Sequence, residues 1–393
     1  MNRSKKNIHV LITDGEIKFA LPVIRCLSKH KFIKIHIVSK YKWIEAKFSR
    51  HIASFNYYQK KDIKSASDWI QIIKQEIVKH KIDILFPVNV TEIRLLSEFK
   101  DEFDSSTHLL LPTVKSFDIA HDKWRLFEFL ERNNINRPAT FNSKSIDPNH
   151  IPPMNFPVLS KPLSKSGGDG IEKISTEKSL KVALNKHPES IIQEYINGYD
   201  IDMSVLCRDG KILSHTIQKG YWKNIAPFSM PYGVEFINND ELFETIKTLM
   251  KKLNWSGLAH IDLRYDEIHK DFKVIEINPR IWGSINASNR VGVNFSYYYC
   301  LAALGIEFET PNYRLEKCLN TYGLFKIIKA KILMKEINQK IPKNITISDK
   351  LHDPMPSLYK YFVVKLKKNR LIKGKFLQKF KHDIYCNFDT ILK

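Results

Sequence analysis

The chain has few cysteines, and nothing in the sequence pairs them. Its 5 cysteines are spread over 393 residues, and no two form a CxxC motif. Zinc sites and disulfide frameworks need paired spacings, so neither is predicted. The chain also lacks any run of about 18 apolar residues, so no transmembrane helix is predicted. The first apolar stretch, IHVLI, is too short for a secretion signal. We therefore expect a cytoplasmic protein.

Several common catalytic and nucleotide-binding patterns are also missing. No GxGxxG segment opens the first strand–helix unit, which excludes the usual dinucleotide fingerprint. No GxxxxGK[ST] loop is present, so a P-loop is excluded as well. The sequence also lacks a GxSxG elbow and a Cys/His pair placed for attack, which agrees with a reaction that requires no nucleophilic side chain.

Acidic residues are scarce relative to basic ones. The net charge is +21, and residues 311–393 contain 19 Lys/Arg against 6 Asp/Glu. This excess fits a solvated basic surface produced by compositional bias, or an anionic partner such as a nucleotide, an acidic glycan or a membrane face. The segment 361–382 interleaves apolar residues with lysines, which suits an interfacial helix or a helix docked on a core. No specific nucleic-acid partner is predicted.

The first part of the chain alternates between strand and helix patterns. Strand patterns occupy 8–13, 32–39 and 82–88. Helical spacing of apolar residues occupies 17–27 and 66–80, between these strands. Such alternation predicts a parallel sheet with crossover helices, in a unit that ends near Pro112.

The middle of the chain is typical of antiparallel sheet. Strand patterns occupy 156–175 and 190–219, and Asp209-Gly210 is a strong hairpin-turn signal. Residues 257–278 read as two more antiparallel strands, flanked by helical patterns at 123–133 and 239–254.

The last hairpin carries a candidate metal site. Glu276 and Asn278 are two residues apart on one strand, so they share a face. Asp262 sits at the equivalent depth on the preceding strand, and antiparallel pairing can bring the three together. Two carboxylates and an amide oxygen suit Mg²⁺, which also binds substrate phosphates. The alternative is a strand edge whose acids form salt bridges on the surface.

A serine- and glycine-rich turn follows the lysine of a predicted strand. Glycines let backbone N–H groups close around phosphate oxygens, and Lys161 supplies a point charge. The alternative is a flexible hairpin tip. The turn residues are Ser164, Ser166, Gly167, Gly168 and Gly170.

The segment IIQEYINGYD runs from an apolar strand into a turn. Gln193 and Asp200 bracket the junction at Ile196. Such an edge can offer backbone groups to a purine and a carboxylate to ribose hydroxyls, or it is an ordinary strand ending in a turn.

The order of these motifs resembles the ATP-grasp superfamily over roughly residues 114–304. The segment EINPRIWGS is similar to the Glu-x-Asn-Pro-Arg segment of its carbamoyl-phosphate-synthetase and carboxylate–amine ligase branches. The resemblance implies an α/β ATP-grasp fold at 113–310, with a lid subdomain at about 155–196. It also implies an N-terminal pre-ATP-grasp α/β domain at 1–112 and leaves 311–393 as a basic, largely helical extension.

The resemblance implies a role for each matching position. Mg²⁺, or Mn²⁺ in its place, would be held by Asp262, Glu276 and Asn278, although Glu is frequent at the first of these positions. Lys123 and Lys161 would contact ATP phosphates, and residues 164–170 would form the lid loop. The remaining roles are adenine contact by Gln193 and the backbone of Glu194, Tyr195 and Ile196, ribose contact by Asp200, and charge stabilisation by Arg280.

The implied activity is an ATP- and Mg²⁺-dependent ligase that joins a carboxylate to an amine through an acyl phosphate. Lys219, on a predicted strand, is a further candidate for substrate or phosphate contact, or a surface lysine. The substrates would be small molecules, peptides or glycans. The sequence is compatible with a monomer and with an oligomer. Two alternatives stay open: a bicarbonate-using carboxylase or carbamoyl-phosphate type of partial reaction, and a non-catalytic scaffold that holds an acidic polymer or membrane.

Overall fold

The computed structural model describes residues 7–163, 168–222, 231–333 and 341–368, which form two compact units. The first unit comprises 7–113, 280–312 and 345–368, and the second lies within 114–279 and 313–344. Within these described ranges, no helix combines the length and apolar character needed to cross a bilayer. Most of the predicted interfacial segment 361–382, together with the rest of the chain after Lys368, lies outside the described residues.

Helices and strands are numbered in chain order. The helices are α1 Ala20–Leu27, α2 Ala66–His80, α3 Val90–Glu98, α4 Val114–His121, α5 Lys123–Arg132, α6 Glu177–Lys186, α7 Asp240–Leu253, α8 Ile285–Val291, α9 Phe295–Ala303, α10 Thr321–Ile332, α11 Ile347–His352 and α12 Pro354–Lys368. The strands are β1 Ile8–Ile12, β2 Ile33–Ser39, β3 Ile52–Tyr57, β4 Ile84–Phe86, β5 Thr140–Asn142, β6 Val158–Pro162, β7 Glu172–Ile174, β8 Ser190–Glu194, β9 Gly198–Arg208, β10 Lys211–Trp222, β11 Gly233–Ile237, β12 Gly257–Asp266, β13 Asp271–Asn278, β14 Lys317–Leu319 and β15 Asn344–Ile345.

The first unit contains the predicted parallel sheet. Its strands run in the order β3-β2-β1-β4, and each neighbouring pair is parallel. Helix α2 begins at a capping box between Ser65 and Asp68, which satisfies backbone N–H groups that have no partner within the helix. The predicted apolar side of α2 packs into the core, where Trp69, Ile70 and Ile73 are buried.

The second unit contains two sheets. The larger has the order β13-β12-β9-β10-β11-β14-β15, and the smaller has the order β5-β8-β6-β7. The β9–β10 hairpin turns at Asp209 and Gly210, whose φ angles are +48° and +78°. Two successive left-handed residues are what the predicted Asp-Gly turn requires. Helix α6 covers the smaller sheet through Leu180 and Leu184. The fold predicted for the middle of the chain is thus confirmed in its strands and turns.

The described cysteines are not bonded to one another. Cys26, Cys207, Cys300 and Cys318 are buried free thiols, and Cys386 lies outside the described ranges.

Candidate functional site

A row of acidic side chains crosses three neighbouring strands of the larger sheet. In the antiparallel register, Asp262 on β12 pairs with Glu276 on β13 and, on its other side, with Asp202 on β9. Directly paired residues project from the same face of a sheet, with Cβ atoms about 5 Å apart. The three carboxyl groups therefore stand side by side.

The predicted metal triad is brought together by this register. The Asn278 side-chain amide donates to Asp262 Oδ2 at 2.9 Å and to Glu276 Oε1 at 3.1 Å. The amide thus stands between the two carboxylates, where a cation would be expected. Turning the amide over would present its oxygen instead of its nitrogen, and the two orientations fill nearly the same volume. Asp262, Glu276 and Asn278, the residues predicted to hold Mg²⁺, therefore offer a set of donor atoms that fits this ion.

Two further residues, Asp202 and His260, join this cluster, and neither was predicted as a site residue. Asp202, His260 and Asp262 each offer one ligand atom, and these atoms all lie within 4.8 Å of one another. His260 Nε2 is 3.2 Å from Asp262 Oδ1. Asp202 could have been found from its two-residue spacing to Asp200, which puts both on one face of β9. No local sequence pattern indicates that β9 pairs with β12.

Burial and mutual repulsion keep these acids from ionising freely. The pKa of Glu276 is raised by burial first and by the neighbouring Asp262 second. The pKa of Asp202 is raised to about 7, again by burial first and by Asp262 second. A bound cation would remove the repulsion, since an opposite charge within a few ångströms favours the ionised carboxylate.

Lys161 is buried and held by Gln193. Its ammonium donates to Gln193 Oε1 at 2.6 Å, and Gln193 Nε2 donates to Thr140 Oγ1 at 3.0 Å. Burial lowers the pKa of Lys161 to about 8, while the nearby Glu276 acts in the opposite direction. Lys123, the first residue of α5, is the next contributor and lowers the pKa of Lys161 further. Both predicted phosphate-binding lysines are therefore close to each other and to the acids.

The segment predicted to contact adenine and ribose, residues 193–200, begins on β8. Arg264, which was not predicted as a site residue, contacts this segment. Arg264 donates through Nε to the Ile196 carbonyl at 2.7 Å and through Nη2 to the Gly198 carbonyl at 2.8 Å. Its Nη1 donates to Asp200 Oδ1 at 2.5 Å. Arg264 therefore fixes the turn between β8 and β9 and orients the carboxylate that was predicted to hold ribose.

Glu194 and Tyr195 also have specific neighbours. The Glu194 carboxylate accepts the Ala139 N–H at 3.0 Å, and the Tyr195 ring lies 3.8 Å from Lys173 Nζ. The Glu194 backbone N–H also has a partner, since it donates to the Ala139 carbonyl at 2.8 Å.

The predicted lid loop is only partly described. Ser164, Ser166 and Gly167 lie outside the described residues. Gly168 and Gly170 have φ angles of +82° and +73°, a left-handed conformation that glycine adopts without steric cost.

Lys219 and Arg280, the two predicted catalytic cations, contact different residues. Lys219 Nζ lies 3.8 Å from Glu235 Oε2 on the neighbouring strand, and its side chain is 41% exposed. Arg280 belongs to the first unit. Its guanidinium lies 5.2 Å from the Phe19 ring centroid and donates to the Ile281 carbonyl at 2.8 Å.

Comparison with known proteins gives a consistent result for the second unit. Residues 120–284 match the family model of the ATP-grasp domain. The chain is 24% identical over 184 residues to the carbamoyl phosphate synthase large chain of Pseudomonas aeruginosa, a match that covers 42% of this chain and 17% of that protein. It is also 24% identical over 213 residues to the D-aspartate ligase of Enterococcus faecium, covering 47% of this chain and 50% of the ligase. The chain thus spans at most half the length of either relative.

Solved structures share the fold at low sequence identity. N5-carboxyaminoimidazole synthetase from Staphylococcus aureus, complexed with ADP, superposes with a TM-score of 0.63 at 13% identity, covering 86% of this chain and 91% of the other. The L-amino acid ligase from Bacillus licheniformis superposes with a TM-score of 0.57 at 15% identity, covering 80% and 76%. These likenesses concern the fold, and the predicted α/β ATP-grasp architecture is confirmed. Residues 120–284 therefore form an ATP-grasp domain.

Proposed function

We propose that this chain is an ATP- and Mg²⁺-dependent ligase that couples a carboxylate to an amine and releases ADP and phosphate. The observation that carries this proposal is the register that pairs Asp262 with Glu276 and places the Asn278 amide against both carboxylates. Hard oxygen donors in this arrangement are the set that Mg²⁺ takes when it also binds phosphates. The nearby buried Lys161 supplies a positive charge for the same phosphates.

The chemistry follows from the poor reactivity of a carboxylate. Transfer of the γ-phosphoryl group of ATP to a carboxylate oxygen forms an acyl phosphate and ADP. The amine nitrogen then attacks the acyl carbon, the C–N bond forms, the C–O bond to phosphate breaks, and the amine gives up a proton. Mg²⁺, when bound, would neutralise charge on the phosphate oxygens.

The chain's own residues bind and orient the reactants in this proposal. Lys161 is held in place by Gln193 and, with Lys123, contacts the phosphates. Asp200, whose carboxylate accepts a hydrogen bond from Arg264, is proposed to bind ribose hydroxyls. The 164–170 loop excludes water from the acyl phosphate, which water would otherwise hydrolyse.

Arg280 and Lys219 are the proposed catalytic cations. Arg280 stabilises charge on the transferred group, and Lys219 contacts the substrate or a phosphate. Both assignments rest on the sequence motif and strand pattern in which these residues lie.

The substrate class is proposed from the named relatives. A D-aspartate ligase and an L-amino acid ligase both point to amino-acid substrates, either free or as part of a peptide or glycan. The match to a carbamoyl phosphate synthase favours a second candidate, in which bicarbonate takes the place of the organic acid.

A phosphate-release screen tests the proposal. The full-length chain and Mg-ATP are incubated with pools of acids, amines or both, and with bicarbonate in parallel. Release of ADP and phosphate that requires an acid and an amine together supports the ligase, whereas release with bicarbonate alone favours the second candidate.

Glu276→Gln, which keeps the side-chain shape but removes the charge, should be inactive in this screen. The matched control is Glu244→Gln on α7, where a 60% exposed carboxylate pairs with Lys247. Equal activity of Glu276→Gln and the wild type would refute the site assignment, and no turnover with any pool would favour a non-catalytic scaffold.

A further inference from the structure

His260 lies between a buried hydroxyl and the acidic row. Its Nδ1 is 2.9 Å from Ser204 Oγ, and its Nε2 is 3.2 Å from Asp262 Oδ1. Ser204 is fully buried, and its strand pairs with β12 at His260 itself. A metal-binding histidine usually gives its second ring N–H to such an oxygen, which fixes the tautomer and leaves the other nitrogen to bind the metal.

Asp202 completes a compact set of donors around Nε2. The ligand atoms of Asp202, His260 and Asp262 lie within 4.8 Å of one another. The Asp202 carboxyl accepts a hydrogen bond from Gln218, which pairs with it on β10 and is itself buried. Each of the three side chains is therefore oriented by the sheet rather than by a loop.

The register also concentrates negative charge. Glu276, Asp262 and Asp202 occupy directly paired positions on β13, β12 and β9. Like charges directly opposite one another destabilise a sheet. A cation bound by Asp262, Glu276 and Asn278 would leave Asp202 on the far side of Asp262. The Asp202 carboxylate is therefore placed to bind a second cation.

We propose that Asp202, His260 and Asp262 form a second divalent-cation position, which shares Asp262 with the Mg²⁺ triad, and that its imidazole nitrogen favours Mn²⁺ over Mg²⁺. Imidazole suits transition metals, whereas Mg²⁺ prefers carboxylate, carbonyl and water oxygens. Any role of this position in turnover rests on the proposed ligase function. The binding of Mn²⁺ does not, because it can be measured without ATP or substrate.

The opposite tautomer of His260 is the competing account. Ser204 would then donate to Nδ1, and the Nε2–H would donate to Asp262, which satisfies the ring without any metal. The two tautomers share the same heavy-atom positions. They differ in whether a bound Mn²⁺ ion has a nitrogen ligand.

Pulsed electron paramagnetic resonance on the full-length protein, titrated with Mn²⁺ up to two equivalents so that both positions are filled, separates the two accounts. A direct nitrogen ligand produces modulation of the Mn²⁺ spin echo by ¹⁴N. We expect this modulation in the wild type and its loss in His260→Asn. The matched control is His269→Asn, which removes another histidine bound to an aspartate, Asp266, on the same hairpin. The control should keep the signal.

Affinity provides the second readout. Titration of free Mn²⁺ should show that His260→Asn and Asp202→Asn each weaken Mn²⁺ binding by about tenfold or more. Mg²⁺ should compete better against Mn²⁺ in His260→Asn than in the wild type, because asparagine replaces the nitrogen donor with an amide oxygen.

The wild-type spectrum alone can overturn the proposal, so the test does not depend on whether a variant folds. Absence of ¹⁴N modulation in the wild type, or its persistence in a folded His260→Asn protein, would exclude His260 as a ligand. Mg²⁺-dependent turnover in the phosphate-release screen would then still support the ligase. Conversely, a nitrogen-ligated Mn²⁺ ion without turnover would support this site and count against the ligase.

Discussion

Two groups of acidic side chains in this protein are buried in different ways. In the first unit, Asp14 accepts the N–H groups of Val88 at 3.0 Å and Asn89 at 2.7 Å. Glu92 accepts the Trp69 indole N–H at 2.6 Å, and Lys40 Nζ lies 3.7 Å from its second oxygen. Each of these carboxyl groups has neutral or positive donors, but Asp14 also has acidic neighbours: its pKa is raised by burial first and then by Glu92 and Glu16.

In the second unit, the acids face each other. Asp262 has Glu276 on one side and Asp202 on the other, and the contacts of Asn278 span Asp262 and Glu276. A buried acid that finds its partners in backbone N–H groups serves the fold. Acids that the sheet register places directly opposite each other attract a cation, and they are candidates for a functional site.

The largest effect should come from Glu276→Gln. Loss of one charge from the metal triad should lower turnover by about 10²–10³-fold, on the order of 3–4 kcal/mol of transition-state stabilisation. The thermal midpoint should stay the same or rise, because repulsion with Asp262 is relieved. Initial rates of ADP release and a thermal melt measure the two effects. A variant that melts earlier yet turns over normally would mean that Glu276 is a structural acid like Asp14.

Asp14→Asn should show the reverse behaviour. Asparagine has one acceptor oxygen where aspartate has two, so one buried N–H of Val88 or Asn89 loses its partner. We expect a loss of about 1–3 kcal/mol in the free energy of unfolding, measured by urea denaturation. ADP affinity at temperatures where the variant is folded should equal that of the wild type. A selective loss of nucleotide binding would place Asp14 among the functional acids and remove the contrast between the two groups.

A smaller effect should appear in the pH dependence of nucleotide binding. Burial lowers the pKa of Lys161 to about 8, so its positive charge is complete below that pH and is lost as the pH rises through it. ADP affinity should therefore fall by up to about tenfold between pH 7 and pH 9, corresponding to about 1.4 kcal/mol. Lys161→Met should bind ADP weakly with little dependence on pH. The same pH dependence in Lys161→Met and the wild type would show that another group is responsible.

Local signals in the sequence predicted much of this architecture. The apolar spacing of α2 lies within one helix, and the Asp209-Gly210 turn lies within one hairpin. The metal triad could also be predicted from the sequence, because Asp262 and Glu276 belong to adjacent strands joined by a short turn. In each case the interacting residues are close along the chain.

The residues that sequence reasoning missed depend on distant pairings. Asp202 joins the site because β9 pairs with β12, and 60 positions separate it from Asp262. Arg264 reaches back 68 residues to the Ile196 carbonyl. Strand β3 was missed because polar Ser54 and Asn56 interrupt its apolar pattern, and only the parallel pairing with β2 defines it. Register between distant strands is set by tertiary packing, which a local pattern does not specify.

The most direct test of the central claim, that the acidic row of the second unit binds a cation together with a nucleotide, is calorimetric titration of ADP with and without Mg²⁺. The full-length wild type and Asp262→Asn are compared under identical conditions. The account predicts that Mg²⁺ tightens ADP binding to the wild type and has little effect on the variant. Equal ADP affinity with and without Mg²⁺ in the wild type, or equal tightening in both proteins, would contradict it.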